Sequence, residues 1–357
     1  MAREIKLGNS LVGLDRPTYF IADIAANHDG SLERAIDLIY QCADAGANAA
    51  KFQNFKASSI VSDHGFKNLG DQLSHQKTWS KSVFEVYQDA SLPPEWSEEL
   101  RKSCANAGID YLTAPYDIGF VKELSKYVCA WKLGSGDITW HESISAMASD
   151  GKPLLIATGA SDMEDVRMAM NIATEHTDDI VLMQCNTNYT ASLENFRYVS
   201  LNVLKAYERE FPNVILGLSD HTPGHVTVLG AVALGARVIE KHFTDDTSRD
   251  GPDHKFSMDS GSWREMVVAT RYLEAALGEE EKKVMDNEAE TVVIQRRSLR
   301  TSRPLTKGQV INAEDLVALR PCPNGSLPPY RRNELVGRTV NRDLLEGECV
   351  KLCDIEK

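Results

Sequence analysis

The chain has 357 residues, 42% of them hydrophobic, which is enough for a large core and more than one domain. Its formal net charge of −13 argues against nucleic acid as a partner. No run approaches the ~20 apolar residues of a transmembrane helix and MAREIKLGNS has no apolar signal core, so no membrane partner is expected.

Eight short apolar runs follow in order, each trailed by a helix-like stretch. They are Tyr19–Ala25, Ala49–Gln53, Asp110–Thr113, Ala130–Gly134, Leu154–Gly159, Ile180–Asn186, Val214–His221 and Val238–Phe243. Between them, Leu32 to Ala45, Ser97 to Ala107 and His225 to Leu234 show helical spacing and stop at glycines, while Asp162 opens another helix. The alternation predicts a (β/α)8 TIM barrel, an α/β fold, over residues 1–282. Between Gln53 and Pro93 the rhythm breaks into a polar, aromatic-dotted loop with His64, Phe66, His75, Trp79, Phe84 and Tyr87, expected to form a lid or wall over the mouth. Trp263 to Leu277 reads as a helix, 283–294 as a charged linker, and 295–357 as a small, mostly β domain with strand-like pieces at Gln295–Thr301, Gly308–Ile311 and Asp315–Leu319.

In a strand, residues two apart share a face, so Ser219 pairs with His221 and Glu240 with His242, while Lys241 turns the other way. His221 and His242, from neighbouring strands, are candidate ligands of one divalent cation. Lys51 and Lys132 point into the barrel, where a charge is costly unless an anion neutralises it, and Ser135 and Ser219 add short donors beside them. That set suits phosphate or carboxylate recognition. Asp23 and Asp137 are candidate proton carriers at strand tips, and Gly251-Pro252-Asp253-His254 follows the eighth strand closely enough to fold over the mouth. Seven cysteines without CxxC spacing argue for a reducing, cytoplasmic setting rather than a disulfide framework. Two rival readings are a lysine Schiff-base aldolase using Lys51 or Lys132 and a non-catalytic carbohydrate-binding protein.

Asn27-His28-Asp29-Gly30, Lys51-Phe52-Gln53, Lys132-Leu133-Gly134-Ser135-Gly136, Gly217-Leu218-Ser219-Asp220-His221-Thr222 and Glu240-Lys241-His242-Phe243 resemble the N-acetylneuraminate (sialic acid) synthase family, including legionaminate and pseudaminate synthases. Arg297-Ser298-Leu299 and Arg320-Pro321 with Asn324-Gly325 resemble that family's antifreeze-like (SAF) domain. The resemblance implies condensation of phosphoenolpyruvate with the open-chain aldehyde of an N-acylated aminohexose, giving a 3-deoxy nonulosonic acid and phosphate. It implies a divalent metal on His221 and His242, usually Mn2+, with Mg2+ or Co2+ as alternatives. It places phosphoenolpyruvate against Lys51, Lys132, Ser135 and Ser219, with Thr113 and Asn186 also on the substrate. It places the sugar against Gln53, Tyr189 and Asp253, with Arg320 reaching in from the other subunit of a domain-swapped homodimer. The chain departs from the family in carrying Asp rather than Glu at 23 and 137, and in a shifted Thr-Asn pair within Asn186-Thr187-Asn188.

Overall fold

The computed structural model describes residues 3–69, 76 and 79–356, in two compact units, Met1–Gly278 and Glu279–Lys357. The first unit opens with an antiparallel hairpin, β1 (Glu4–Leu7) and β2 (Ser10–Gly13). Eight parallel strands then close into a barrel. They are β3 (Tyr19–Asp23), β4 (Ala49–Asn54), β5 (Asp110–Pro115), β6 (Trp131–Leu133), β7 (Leu154–Ala157), β8 (Ile180–Cys185), β9 (Ile215–Asp220) and β10 (Val238–His242), and β10 pairs β3 to close the ring. Each expected run falls on one of these strands.

Alternation along the strands sorts the chain into two layers. Phe20, Ala22, Phe52, Tyr111, Trp131, Ile156, Leu182, Leu218 and Ile239 face the helices and join the large outer core. Tyr19, Ile21, Ala49, Leu112, Ala130, Leu155, Val181, Ile215 and Val238 face inward and form a separate core with Ile5, Leu7 and Val12 of the hairpin. The hairpin therefore plugs the N-terminal mouth. Its alternating Ile5 and Leu7 are too short a signal to have been read as a strand. Above this apolar floor the same inward face continues into Asp23, Lys51, Gln53, Lys132, Ser219, Glu240 and His242 at the C-terminal mouth. That change from apolar to polar along one face is what a TIM-barrel site requires.

The stretch after β4 is more ordered than a loop. It contains helices Ala57–Ile60, Asp63–Asn68 and Val83–Ala90, the last held by a reciprocal Ser82–Glu85 capping box. A satellite core of Ala57, Val61 and Val83, with Ile60, Phe66, Trp79, Phe84 and Tyr87 against it, ties these helices together. His64 is exposed, and His75 lies outside the described residues.

The second unit has its own core of Leu299, Leu305, Ile311, Leu316, Leu327, Leu335, Val340, Leu344, Val350 and Ile355. Its two strands, β11 (Ser298–Thr301) and β12 (Leu316–Leu319), pair antiparallel. Gln295 ends a helix, Ala289–Gln295, where linker and strand were expected, because Thr291-Val292-Val293-Ile294 sits behind an acidic first turn rather than in an alternating pattern. Gly308–Ile311 forms an isolated bridge, Val310 to Thr339, instead of a strand. No helix among the described residues is long and apolar enough to cross a membrane. All seven cysteines are free.

Candidate active site

Strand register brings the charged groups side by side. Asp23 lies opposite Lys51 on one side and His242 on the other, Ser219 lies opposite Glu240, and Cys185 opposite Ser219. Lys51 Nζ is 2.6 Å from Asp23 Oδ2 and 3.8 Å from Glu240 Oε2, and Lys132 Nζ is 3.2 Å from Glu240 Oε1. Gln53 Nε2 donates to Asp23 Oδ2 at 3.1 Å, and Ser219 Oγ donates to Glu240 Oε1 at 3.0 Å. The interior lysines were expected to need an external anion. Instead, two carboxylates of the chain itself neutralise them, so an incoming phosphate or carboxylate must share or exchange these partners. Burial works against the charged form of Lys51, but Asp23 and Glu240 outweigh it and hold the ammonium pKa above its ordinary value. A lysine held protonated is a poor Schiff-base nucleophile.

The two histidines stand together with ring centroids 5.3 Å apart, flanked by Tyr189 and Phe256. His221 Nδ1 donates to the Asn186 carbonyl at 3.1 Å, which leaves Nε2 as the ring's lone-pair nitrogen when the imidazole is neutral. Burial drives the His242 pKa down to about 3 against the pull of Asp23, so that ring is neutral. Its Nδ1 is buried without a hydrogen-bond partner, 4.0 Å from Asp253 Oδ2. Burial works against the charged form of His221, but the bond and charge of Cys185 outweigh it and raise that ring's pKa. Two imidazoles side by side, one neutral with an unsatisfied nitrogen, beside hard carboxylates fit a divalent cation of the Mn, Fe or Co type. No cluster of three or more His, Cys, Asp or Glu poised for a metal occurs among the described residues. Cys185 bonds His221. Burial raises its thiol pKa, but the hydrogen bond and charge of His221, with smaller help from Ser135 and Lys132, bring it below its ordinary value.

A cavity of about 340 Å³ opens beside His242. Gln53, Asp137, Thr187, Tyr189, His242 and Asp253 give it a polar end, and Phe55, Ile60, Trp79, Val86, Tyr87 and Tyr116 an apolar wall. The helices after β4 thus supply the wall expected of that segment. Asp137 sits on the turn Ser135–Asp137 after β6, and burial pushes its pKa up to about 6. Asp253 is pushed up to about 6 as well, by burial and then by Asp23 against the Ala26 N–H bond. Asp23 moves the opposite way. Burial raises it, but the charge and hydrogen bond of Lys51, with Lys132, outweigh that and keep it ionised. Ser135 Oγ accepts from the Gly159 N–H at 3.0 Å and its hydroxyl also bonds Cys185, while the Ser219 proton is engaged by Glu240.

Thr113 does not reach the mouth. It shares the outward face of Tyr111, and its hydroxyl donates to Asn54 Oδ1 at 2.6 Å. Asn186 contributes its backbone carbonyl to His221, while its side-chain amide points to the Tyr198 carbonyl at 3.4 Å. Arg320 belongs to the second unit, where its Nε donates to the Gln295 carbonyl at 2.6 Å. Lys241 turns away from the mouth as parity requires, yet it is buried, bonded to Asp220 and to the Thr222 carbonyl at 2.7 Å. Tyr116 was missed by sequence reasoning. A Cβ on Gly134 would stand 2.5 Å from its hydroxyl, so the bare backbone after β6 is what admits the ring.

The NeuB family pattern matches residues 38–282 and the SAF domain matches 296–356. The N,N'-diacetyllegionaminic acid synthase of Legionella pneumophila is 34% identical over 346 residues, 94% of each chain. A pseudaminic acid synthase of Campylobacter jejuni is 32% identical over 355 residues, 98% of this chain and 99% of that one. The crystal structure of an N-acetylneuraminic acid synthetase from Leptospira borgpetersenii superposes with a TM-score of 0.71 at 25% identity, covering 82% of this chain and 96% of that one. Matched across its barrel and along nearly its whole length, the chain belongs to the NeuB family and carries a SAF domain over residues 296–356.

Proposed function

We propose that the protein condenses phosphoenolpyruvate with the open-chain aldehyde of an N-acylated aminohexose, producing a 3-deoxy nonulosonic acid and inorganic phosphate. The observation that carries this reading is the interior layer of Lys51, Lys132, Asp23 and Glu240 beneath His221 and His242, opening into a cavity that ends at Asp253. Its likeness to legionaminic and pseudaminic acid synthases supports the same reaction class.

Lys51, Lys132 and the Ser135 hydroxyl hold the phosphate and carboxylate of phosphoenolpyruvate, and Ser219 steadies Glu240 beside them. Gln53, Tyr189 and Asp253 face the sugar. Carbon 3 bonds to the aldehyde carbon, whose oxygen takes up a proton. Water adds at carbon 2 and loses a proton, and the carbon–oxygen bond to phosphate breaks. Asp137, with a pKa raised to about 6, is suited to carry the proton, while Asp23, held ionised by Lys51, is a fixed charge. Holding both reactants in register contributes ~7–11 kcal/mol to lowering the barrier. His221 and His242 would hold a divalent metal, most fittingly Mn2+, whose chemistry there is Lewis-acid polarisation of a substrate oxygen. The protein works as a homodimer in which Arg320 of one chain completes the sugar site of the other.

Phosphate release from phosphoenolpyruvate tests the proposal, with N-acetylmannosamine, mannose and diacetamido-trideoxyhexoses as acceptors and Mn2+, Mg2+ or Co2+ added. Release with N-acylated acceptors and not with mannose is expected. Silence across the panel would sink the reading. Bound metal, measured on the purified protein, should fall to background in His221→Ala and His242→Ala, and retention in both would remove the metal assignment.

A further inference from the structure

Asp253 carries a sugar contact in this reading, yet it sits on a segment without regular strand or long helix between Thr244 and Ser257. Its place is set by a clamp outside the cavity. His254 is fully buried and uses both ring nitrogens. Nδ1 bonds Thr244 Oγ1 at 2.8 Å, at the root of the segment, and Nε2 bonds Asp29 Oδ1 at 2.9 Å, on the loop after β3. A carboxylate only accepts, so Nε2 carries the proton. Asp29 Oδ2 is in turn held by Arg34 Nε at 3.0 Å, and Arg34 also grips both oxygens of Asp245 at 2.8 and 2.6 Å. Asn27 Nδ2 reaches the Phe243 carbonyl at 2.8 Å and Ser257 Oγ at 2.9 Å, and Ser257 Oγ donates to the Asp253 carbonyl at 2.7 Å. Finally, the Ala26 N–H holds Asp253 Oδ2 at 3.1 Å. Two segments following neighbouring strands are therefore stitched through five residue pairs, and the stitched product is one carboxylate aimed into the cavity.

Close packing leaves little room for another arrangement. A Cβ on Gly251 would lie 2.6 Å from His254 Cδ2, so only glycine lets the segment cross the imidazole. Asp29 has a φ of 50°, in the left-handed region, and the side chain that this geometry presents is the one His254 meets. We infer that Asp29 and His254 are positioning residues for the acceptor sugar, holding Asp253 in place without touching substrate. This rests on the proposed reaction only in naming what Asp253 meets.

Steady-state constants for Asp29→Ala, Asp29→Asn, Thr244→Val and Asp253→Ala test it, with the Asp29→Ala/Asp253→Ala double variant. Misplacing one contact group by about 1 Å can cost on the order of 100-fold. Asp29→Ala should therefore raise the acceptor KM by about tenfold or more while the phosphoenolpyruvate KM stays within about twofold. The Asn oxygen can still accept from His254, so Asp29→Asn should recover most of the loss. In the double variant the loss should not exceed that of Asp253→Ala, since both act through one carboxylate. Equal rises in both Michaelis constants, or fully additive losses, overturn the inference. If Asp29→Ala does not fold, Thr244→Val decides: a selective acceptor effect supports the clamp and parental constants refute it. Amide hydrogen exchange over 251–257 provides a readout free of turnover. Faster exchange there in Asp29→Ala or Thr244→Val than in the parent is expected. Unchanged exchange in both overturns the clamp even if the reaction itself proves to be a different one.

Discussion

Lys132 reaches the mouth from the shortest barrel strand, with Glu240 as its ion-pair partner at 3.2 Å. Lys132→Ala removes a charge-assisted contact of about 1.5–3 kcal/mol to the anion. The expected outcome is a phosphoenolpyruvate KM raised roughly 10- to 100-fold with the acceptor KM nearly unchanged. An unchanged KM for phosphoenolpyruvate would take Lys132 out of that subsite. Asp137 gives a pH test. Its pKa rises from an ordinary 3.8 to about 6 through burial alone, so its contribution to stability is whole below about pH 4 and is lost as pH climbs through 6. Asp137→Asn cannot ionise and escapes that loss. Relative to the parent its melting temperature should rise between pH 4 and 7, while kcat falls by about 10²–10⁴ if Asp137 carries the proton. Parallel melting profiles for the two proteins would show that burial does not hold this carboxyl neutral.

At the scale of elements, the barrel has one end for stability and one for chemistry. The hairpin buries Ile5, Leu7 and Val12 against the inward residues at the strand starts. Leu7→Ala should cost about 2–5 kcal/mol, read as a lower denaturant midpoint. Both Michaelis constants should stay at parental values, because the floor lies at the opposite end of the strands from Lys51 and His242. A shift in either constant larger than about threefold would show that strain passes through the barrel interior. Between the barrel and its helices, the buried Lys241–Asp220 pair is satisfied further by Thr222 and Thr227, with Thr227 Oγ1 donating to Asp220 Oδ2 at 2.7 Å. Strand parity turned Lys241 from the mouth, but the matching carboxylate on the neighbouring strand was invisible until register was known.

At the scale of the whole molecule, the second unit carries 12 Lys and Arg against 8 Asp and Glu from Thr291 onward, in a chain of net charge −13. If Arg320 serves the site of the other subunit, mixing Arg320→Ala chains with His221→Ala chains forms heterodimers that pair an intact barrel with an intact arginine. Each variant alone should be nearly inactive, and the mixture should regain up to about half of one dimer's activity. Heterodimers that form without regaining activity would count against the exchange. The sequence by itself determined the barrel, its eight strands, and the inward side chains Asp23, Lys51, Lys132, Glu240 and His242, because a period-two pattern is local and the site lies at strand ends. It did not determine that Lys51 and Lys132 meet Asp23 and Glu240, that Thr113 faces outward to Asn54, or that Asp29 holds His254. Those facts depend on register between strands and on loops meeting across 28 to 225 positions of chain, and no local pattern carries that information. Ring closure, which sets β10 beside β3, is what brings Glu240 to Lys51 and His254 to Asp29.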